Sequence, residues 1–315
     1  MNFDKFDIFI YRGLQFVLIS LLILAFIIMS LPYPILTDLI NLIRPEEPFN
    51  FFTAEYHRHF IIILYFILFS IIIFVFITIK YRKQIINIIK YVTQETKYFI
   101  KRINIEINTF ISTINKSYLI LLFLFIVSGI IFRFLYIDRP VFHDEAKTFY
   151  SFISSSWLDA ISNYYVPNNH IFHSICARIF YIILGNEEWV FRMPVFFSGI
   201  ICMIIIYLYA YKFYNMYIAL ILSALTVNAI PMVFYSVNAR GYIMVTMLFL
   251  CLLILIKLLK GKNSLVLWTL FIIFATIGIW TIPIMILSVI FLFIWYLIES
   301  KNLNSIVEHE ATSSK

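Results

Sequence analysis

The chain turns polar at residues 138–145, which read DRPVFHDE. The polar stretch that begins here continues to Arg192, and long apolar runs lie on both sides of it. Charges, amides, histidines and aromatic residues concentrate in this stretch, whereas the rest of the chain is largely apolar. We therefore expect residues 138–189 to form a loop that carries the chemistry, held by the rest of the chain at one face of a membrane.

The composition is that of a multi-pass membrane protein. Of 315 residues, 63% are hydrophobic and 13% are charged, whereas a soluble domain carries about 25% charged residues. A membrane-spanning helix needs about 20 mostly apolar residues. The predicted fold class is therefore all-α, a transmembrane helical bundle with about eight spans, at 14–31, 60–79, 118–137, 190–211, 215–233, 241–259, 264–281 and 283–299.

Lysine and arginine mark one side of these spans. Segment 80–117 carries eight basic residues, and three more lysines follow the sixth span. The positive-inside rule makes both segments cytoplasmic. The loop 138–189, between the third and fourth spans, then faces outside the cytoplasm, and the predicted location is the cell (inner or plasma) membrane. The net charge of +7 is attributed to this anchoring, and no nucleic-acid partner is expected.

The chain divides into three parts. Residues 1–117 form a two-span extension that ends in an amphipathic basic helix at 80–117, whose apolar residues recur at steps of three and four. We expect this helix to lie on the inner leaflet, with a partner-binding coiled coil as the alternative. Residues 118–299 form the main transmembrane module, in which the loop 138–189 contains short interfacial helices. Residues 300–315 form a polar tail.

Asp144 and Glu145 are the candidate catalytic residues. Adjacent carboxylates in a partly desolvated site disfavour being charged together, so one can accept a proton from an attacking hydroxyl near the working pH. Two alternatives stay open. The pair holds a divalent cation, the one cofactor considered, or it forms an acidic start to a helix.

Three candidate substrate-binding residues lie in the same loop. Asn169 and His170 follow the acidic pair, and His173 lies one helical turn after His170 on the same face. They suit hydrogen bonds to a sugar, a phosphate or the backbone, and metal ligation together with Asp144 or Glu145 is the alternative.

The remaining candidates are at the outer ends of later spans. Arg192 begins the fourth span, and Tyr235, Arg240 and Tyr242 begin the sixth. A guanidinium can form a forked contact with a phosphate. The tyrosines suit sugar stacking or an aromatic belt at the membrane surface. Arg133, inside the third span, either reaches the interface or serves the site.

The order and spacing of these motifs resemble the GT-C superfamily of membrane glycosyltransferases over about residues 118–299. The pattern is most similar to the bacterial branch related to protein O-mannosyltransferases and aminoarabinose transferases. The matching motifs are Arg133, Asp138-Arg139-Pro140, His143-Asp144-Glu145-Ala146, Asn168-Asn169-His170, the segment 185–194 and Asn238-Ala239-Arg240-Gly241-Tyr242.

The resemblance implies a hexosyl- or pentosyltransferase. Such an enzyme takes a sugar from a polyprenyl-phosphate donor and attaches it to a lipid, glycan or protein acceptor outside the cytoplasm. By position, Asp144 with its neighbour Glu145 would serve catalysis, and Arg240, or less closely Arg192, would hold the donor phosphate. Family members usually continue for several more spans, so we expect a truncated chain, half of a split enzyme or an inactive protein.

Two other functions are weighed against transfer. A transporter or flippase for a lipid-linked or anionic solute should carry charged or broken helices near the bilayer midplane, whereas the predicted spans are nearly free of charge. A non-catalytic or degenerate scaffold gives no reason for Asp144, His170 and Arg240 to share one face. Besides a donor and an acceptor, membrane lipids are the expected partners.

Overall fold

The computed structural model describes residues 5–43, 54–162, 168–262 and 264–313. All regular structure within these ranges is helical, which confirms the all-α prediction. The helices are α1 (Lys5–Ser30), α2 (Tyr33–Ile43), α3 (Ala54–Lys80), α4 (Arg82–Thr113), α5 (Lys116–Tyr136), α6 (His143–Thr148), α7 (Trp157–Ser162), α8 (Ile171–Leu184), α9 (Met193–Phe213), α10 (Met216–Val227), α11 (Ile230–Ser236), α12 (Tyr242–Leu259), α13 (Leu265–Thr281) and α14 (Met285–Ser313).

The spans are fewer than the eight predicted. Within the described ranges, five helices are long and apolar enough to cross a membrane, and they involve α1, α3, α5, α9 and α12. Helices α10 and α11 pass the same test together but are bent by 62° at a short break, so they form a broken sixth span or a re-entrant loop. Helix α13 and the apolar part of α14 are too short to pass. The protein is nevertheless a multi-pass membrane protein.

The chain forms two compact units, Met1–Ile107 and Asn108–Lys315. In the first unit α1 packs against α3, and the Tyr11 hydroxyl donates a hydrogen bond to the Thr78 carbonyl at 2.9 Å. The residues of α4 that are partly or fully buried include Ile85, Ile89 and Val92, which belong to the apolar face expected from the sequence. Its place on the inner leaflet stays a prediction.

The second unit contains the loop 138–189, which is largely helical. Helix α6 is followed by a π-helical turn at Phe149–Ile153 and by α7 and α8, and a 3-10 turn at Val190–Arg192 leads into α9. A buried cluster joins these elements to the connection between α11 and α12, and its members are Phe149, Ile153, Ala177, Phe191 and Ala239. This apolar packing places the start of α6 against the residues just before α12, although about 95 residues of chain separate them.

The last helix extends into the polar tail. Helix α14 continues to Ser313, so most of the segment 300–315 is helical backbone.

Candidate active site

Glu145 lies at the centre of a buried cluster of charges. Its side chain and that of Arg192 are both 0% exposed. Arg192 donates from Nε to Oε1 at 3.0 Å and from Nη2 to Oε2 at 3.1 Å, which is a bidentate pair. The remaining donor, Nη1, contacts the carbonyl oxygens of Ile137 and Arg139 at 2.6 and 2.7 Å. A desolvated ion pair of this kind is stable only when its hydrogen bonds are this complete.

Two backbone donors and one further guanidinium reach the same carboxylate. The backbone N–H of Ala239 donates to Oε1 at 2.7 Å, and that of Phe142 donates to Oε2 at 3.0 Å. The Arg139 guanidinium lies 3.2 Å from Oε2. A carboxylate offers about four lone-pair sites, so Glu145 has no free oxygen with which to accept a substrate proton. This geometry suits Glu145 and Arg192 to positioning the site, and the catalytic and binding roles expected from the sequence stay predictions.

Asp144, the preceding residue, is in the opposite environment. Its side chain is 63% exposed, and its Oδ2 lies 2.5 Å from Nη1 of Arg240, whose side chain is 8% exposed. The second nitrogen, Nη2, lies 3.4 Å from the Tyr242 hydroxyl and 3.4 Å from His170 Nε2. A nearly buried guanidinium thus presents one edge to an exposed carboxylate. The structure brings together Asp144, His170, Arg240 and Tyr242, four of the residues selected from sequence.

His170 is fixed as a neutral hydrogen-bond donor. The backbone N–H of Gly241 donates to His170 Nδ1 at 2.7 Å, so the ring proton of the neutral form is on Nε2. Burial, together with the charges of Arg240 and His173, lowers the pKa of His170 to about 3. The imidazole packs edge-to-face on the Tyr242 ring at 5.1 Å. Its Nε2–H therefore lies beside the Arg240 guanidinium as a second donor.

Two predicted binding residues are placed inside the protein. Asn169 is fully buried; its Nδ2 donates to the Ala160 carbonyl at 3.1 Å and its Oδ1 accepts from Ser174 Oγ at 2.7 Å. His173 is fully buried as well, and burial lowers its pKa to about 4. Both side chains support α8 from within, and neither lines the cavity beside Asp144.

Tyr235 is half-exposed at the edge of the site. Its ring lies 5.0 Å from that of Tyr242, which lines the cavity. It therefore reaches the candidate site through Tyr242.

The candidate metal ligands do not assemble. In the part of the chain that the structure describes, no three His, Cys, Asp or Glu side chains form a group that could hold a metal ion. The oxygens of Glu145 accept from arginines and backbone N–H groups, and His170 Nδ1 accepts from Gly241. This donor set does not fit a divalent cation in the present arrangement.

Two cavities adjoin at this site. One of about 430 Å³ opens beside Asp144 and is lined by Phe142, His143, Asp144, Phe234, Asn238, Arg240 and Tyr242. The other, of about 330 Å³, is mainly apolar and is lined by Phe132, Tyr136, Arg139, Asn228, Ile230, Val233, Phe234 and Val237. Phe234 is a wall of both. The first cavity, called the polar cavity because Asp144, Asn238 and Arg240 line it beside aromatic side chains, thus shares one aromatic side chain with the apolar cavity.

Sequence reasoning missed Phe234 and the role of Arg139. The Arg139 guanidinium carbon lies 4.0 Å from the ring centroid of Phe142 and 5.4 Å from that of Phe234. Such cation–π contacts hold the arginine at the boundary of the two cavities. The Asp138-Arg139-Pro140 motif was the available signal, but nothing in it indicates a pairing with residues nearly a hundred positions later.

The fold and the site define a helical membrane protein with a polar cavity next to an apolar one. Residues 169–312 match the family model of the dolichyl-phosphate-mannose-protein mannosyltransferases. The match supports a GT-C superfamily glycosyltransferase and confirms the resemblance over that part of the chain. At this level it supports glycosyl transfer from a polyprenyl-phosphate sugar donor. It includes His170, Arg192 and Arg240, whereas Asp144 and Glu145 precede it.

No curated protein and no solved structure matches the chain.

Proposed function

We propose that the protein transfers a sugar from a polyprenyl-phosphate donor to a hydroxyl of a lipid, glycan or protein acceptor at the extracytoplasmic face. In this proposal Asp144 is the base and Arg240 binds the donor phosphate. The observation that carries it is the pairing of exposed Asp144 with nearly buried Arg240 at a polar cavity that shares the Phe234 wall with an apolar one.

The donor fits the two compartments by its chemistry. Its phosphate is anionic, and two donors converge where it would bind, the Arg240 guanidinium and His170 Nε2–H, 3.4 Å apart. In addition, Arg240 Nε has no hydrogen-bond partner among the described residues. A buried cation with unused donor capacity is well suited to an anionic oxygen. The prenyl chain next to the phosphate would lie in the apolar cavity beyond Phe234.

The reaction then needs only the groups already in place. The acceptor oxygen attacks the anomeric carbon, its proton passes to an Asp144 carboxylate oxygen, and the bond from the sugar to the phosphate oxygen breaks. Arg240 and His170 stabilise the charge that develops on the departing prenyl phosphate. Because the donor phosphate competes with Asp144 for Arg240, donor binding would release Asp144 to act as a base. Donor is therefore expected to bind before acceptor.

The test is sugar transfer by purified protein in lipid, with a short-chain polyprenyl-phosphate sugar. Asp144→Asn should lower kcat at least about 100-fold, as expected for a lost general base, and should leave the thermal unfolding midpoint unchanged. Arg240→Ala should mainly raise the donor KM. Glu187→Gln is the matched control, because it removes an exposed carboxylate of the same loop that lines neither cavity. Full transfer by Asp144→Asn would rule out its role as the base.

The face of the membrane is tested separately. Cysteines introduced at exposed positions in 138–189 should react with a membrane-impermeant reagent in intact cells. Reaction only after the cells are opened would place the loop in the cytoplasm and exclude the proposed extracytoplasmic transfer.

The broken pair α10–α11 is a feature that transporters share. If the protein is a flippase, a lipid-linked sugar should cross the membrane of vesicles that contain it. Asp144→Asn should then leave the rate of that movement unchanged. Loss of transfer without any such movement favours the enzyme.

A further inference from the structure

Arg133 is a buried cation that the proposed reaction does not use. It lies in the last turn of α5 and is 0% exposed. Its Nη1 donates to the carbonyl oxygens of Gly129 at 2.9 Å and Val227 at 3.0 Å. Within the described residues it forms no ion pair with a carboxylate, and its Nε and Nη2 have no hydrogen-bond partner. Such a group inside a membrane helix costs free energy, so its presence calls for a function.

One of the two carbonyl groups that Arg133 contacts, that of Val227, lies at the end of a helix. Val227 is the last residue of α10, immediately before the break at which α10 and α11 bend by 62°. Carbonyl groups at a helix C-terminus lack partners within the helix and carry a negative partial charge. The guanidinium therefore supplies the missing donor at the break, and the helix end compensates the charge of Arg133.

Two glycines allow the neighbouring helices to close around the guanidinium. A Cβ on Gly129 would lie 2.6 Å from Val227 Cγ1 and 3.1 Å from Arg133 Nη1. A Cβ on Gly199 would overlap the Ser236 hydroxyl and lie 3.1 Å from Arg133 Nε. Helices α5, α9 and α10 thus meet at this side chain, and α11 packs beside it through the contact of Ser236 with Gly199.

Helix α11 connects this point to the candidate active site. It carries Phe234, the wall shared by the two cavities, and it ends at Ser236. Four residues later comes Arg240. A shift of α11 would move both the wall and the guanidinium that faces Asp144.

We propose that Arg133 is a positioning residue that holds the break between α10 and α11, so that α11 presents Phe234 and Arg240 in their working places. The effect on catalysis rests on the proposed function, whereas the effect on the helix break does not. The two are therefore measured separately.

The first measurement is hydrogen exchange of residues 228–236, followed by mass spectrometry in lipid nanodiscs. Arg133→Gln retains a side-chain donor but loses the charge, and Arg133→Lys retains the charge. Exchange in 228–236 should be about tenfold faster in Arg133→Gln, the effect of weakening local closure by one charged hydrogen bond. It should return to within about threefold of the wild type in Arg133→Lys. Peptides of α12 should be unchanged.

The matched control is Ser223→Ala, which removes a buried hydroxyl of α10 that bonds only within its own helix, to the Ala219 carbonyl at 2.8 Å. Its exchange in 228–236 should equal that of the wild type. Wild-type exchange in Arg133→Gln, or an equal acceleration in Ser223→Ala, would overturn the proposal. Should Arg133→Gln fail to fold, Arg133→Lys still decides: exchange within about threefold of the wild type supports the proposal, and an acceleration of about tenfold with the charge retained contradicts a role for the charge.

The second measurement is sugar transfer. Arg133→Gln should raise the donor KM about tenfold, leave the acceptor KM within about twofold, and be rescued by Arg133→Lys. A wild type that transfers no sugar while Arg133→Gln still accelerates exchange refutes the proposed function and leaves the role at the break standing. An unchanged donor KM in an active protein overturns the link from Arg133 to the site.

Discussion

Two carboxylate–arginine pairs stand side by side at the start of α6, and their surroundings are opposite. Glu145 and Arg192 are both 0% exposed and bidentate, whereas Asp144 is 63% exposed and touches Arg240 with one oxygen. Both pairs join a carboxylate to a guanidinium. Burial makes the difference, because a desolvated charge cannot be left without its partner, while an exposed one can exchange its partner for water or a ligand. The buried pair is suited to building the site and the open pair to reacting.

Loss of the buried carboxylate should have the largest effect. Glu145→Gln leaves the guanidiniums of Arg192 and Arg139 in the interior without a counter-charge. We expect a loss of about 3–5 kcal/mol in the free energy of unfolding, the usual cost of breaking a buried pair from one side. Denaturant unfolding in detergent measures it, with Asp144→Asn as the control at about 0–1 kcal/mol. Equal stability losses in the two variants would remove the distinction between the pairs.

A methyl group added behind the open pair should have an intermediate effect. In Gly241→Ala the new Cβ would lie 2.5 Å from Thr281 Cγ2 and 3.2 Å from His170 Cβ. Overpacking of this kind costs about 1–3 kcal/mol, and it would displace the ring that lies beside Arg240. Thermal unfolding and the donor KM should both change.

Gly13→Ala in α1 is the matched control for that change, because nothing lies within 4 Å of its Cβ position. It should be neutral or stabilising by less than about 1 kcal/mol. Identical behaviour of the two alanine variants would contradict the close packing at Gly241.

The pH dependence of stability should show the smallest effect. The pKa of His170 falls to about 3 and that of His173 to about 4 in the folded protein, against an ordinary value near 6.5. Below pH 6.5 the unfolded chain takes up protons that the folded protein does not, so stability is lost as the pH falls from 6.5 towards 3. At pH 5.5 each histidine should account for about 1.4 kcal/mol. Unfolding midpoints between pH 7.5 and 5.5 should fall less in His170→Asn than in the wild type, and equal slopes would refute the burial effect.

The helical class and a shared face for Asp144 and Arg240 could be anticipated from the sequence, because apolar run length predicts the first and the order of spans the second. The ion pair between the two residues was not predicted. The sequence did not indicate that Glu145 is buried whereas Asp144 is exposed. Adjacent carboxylates are equivalent in a sequence, and only contacts with Arg192 and Ala239, 47 and 94 residues away, make one of them structural. Burial in three dimensions, and not local pattern, sets that difference.

The break between α10 and α11 had a local signal that apolar counting ignores. Residues 215–233 are mainly apolar, yet Asn228 lies at the break. Pro231 lies in the first turn of α11, where proline favours a helix start over a continuing helix. The span count was therefore too high partly because hydropathy does not register backbone geometry. Proline also divides the last two predicted spans. Pro283 lies between two apolar helices, and each of them is too short to pass as a membrane span.

The hydrogen bond from Ala239 to Glu145 has a consequence for how such a chain can change over time. Asp144 and Arg240 are each one peptide away from the two ends of that bond, so their register depends on these ends and not on the 93 residues between them. Insertions and deletions at the exposed turn around Gly185 can be absorbed without altering the reacting pair. A single residue inserted between positions 144 and 145, or between 239 and 240, would separate Asp144 from Arg240. Chain length can thus vary at the turn around Gly185, whereas it is fixed at the Asp144–Glu145 and Ala239–Arg240 peptide bonds.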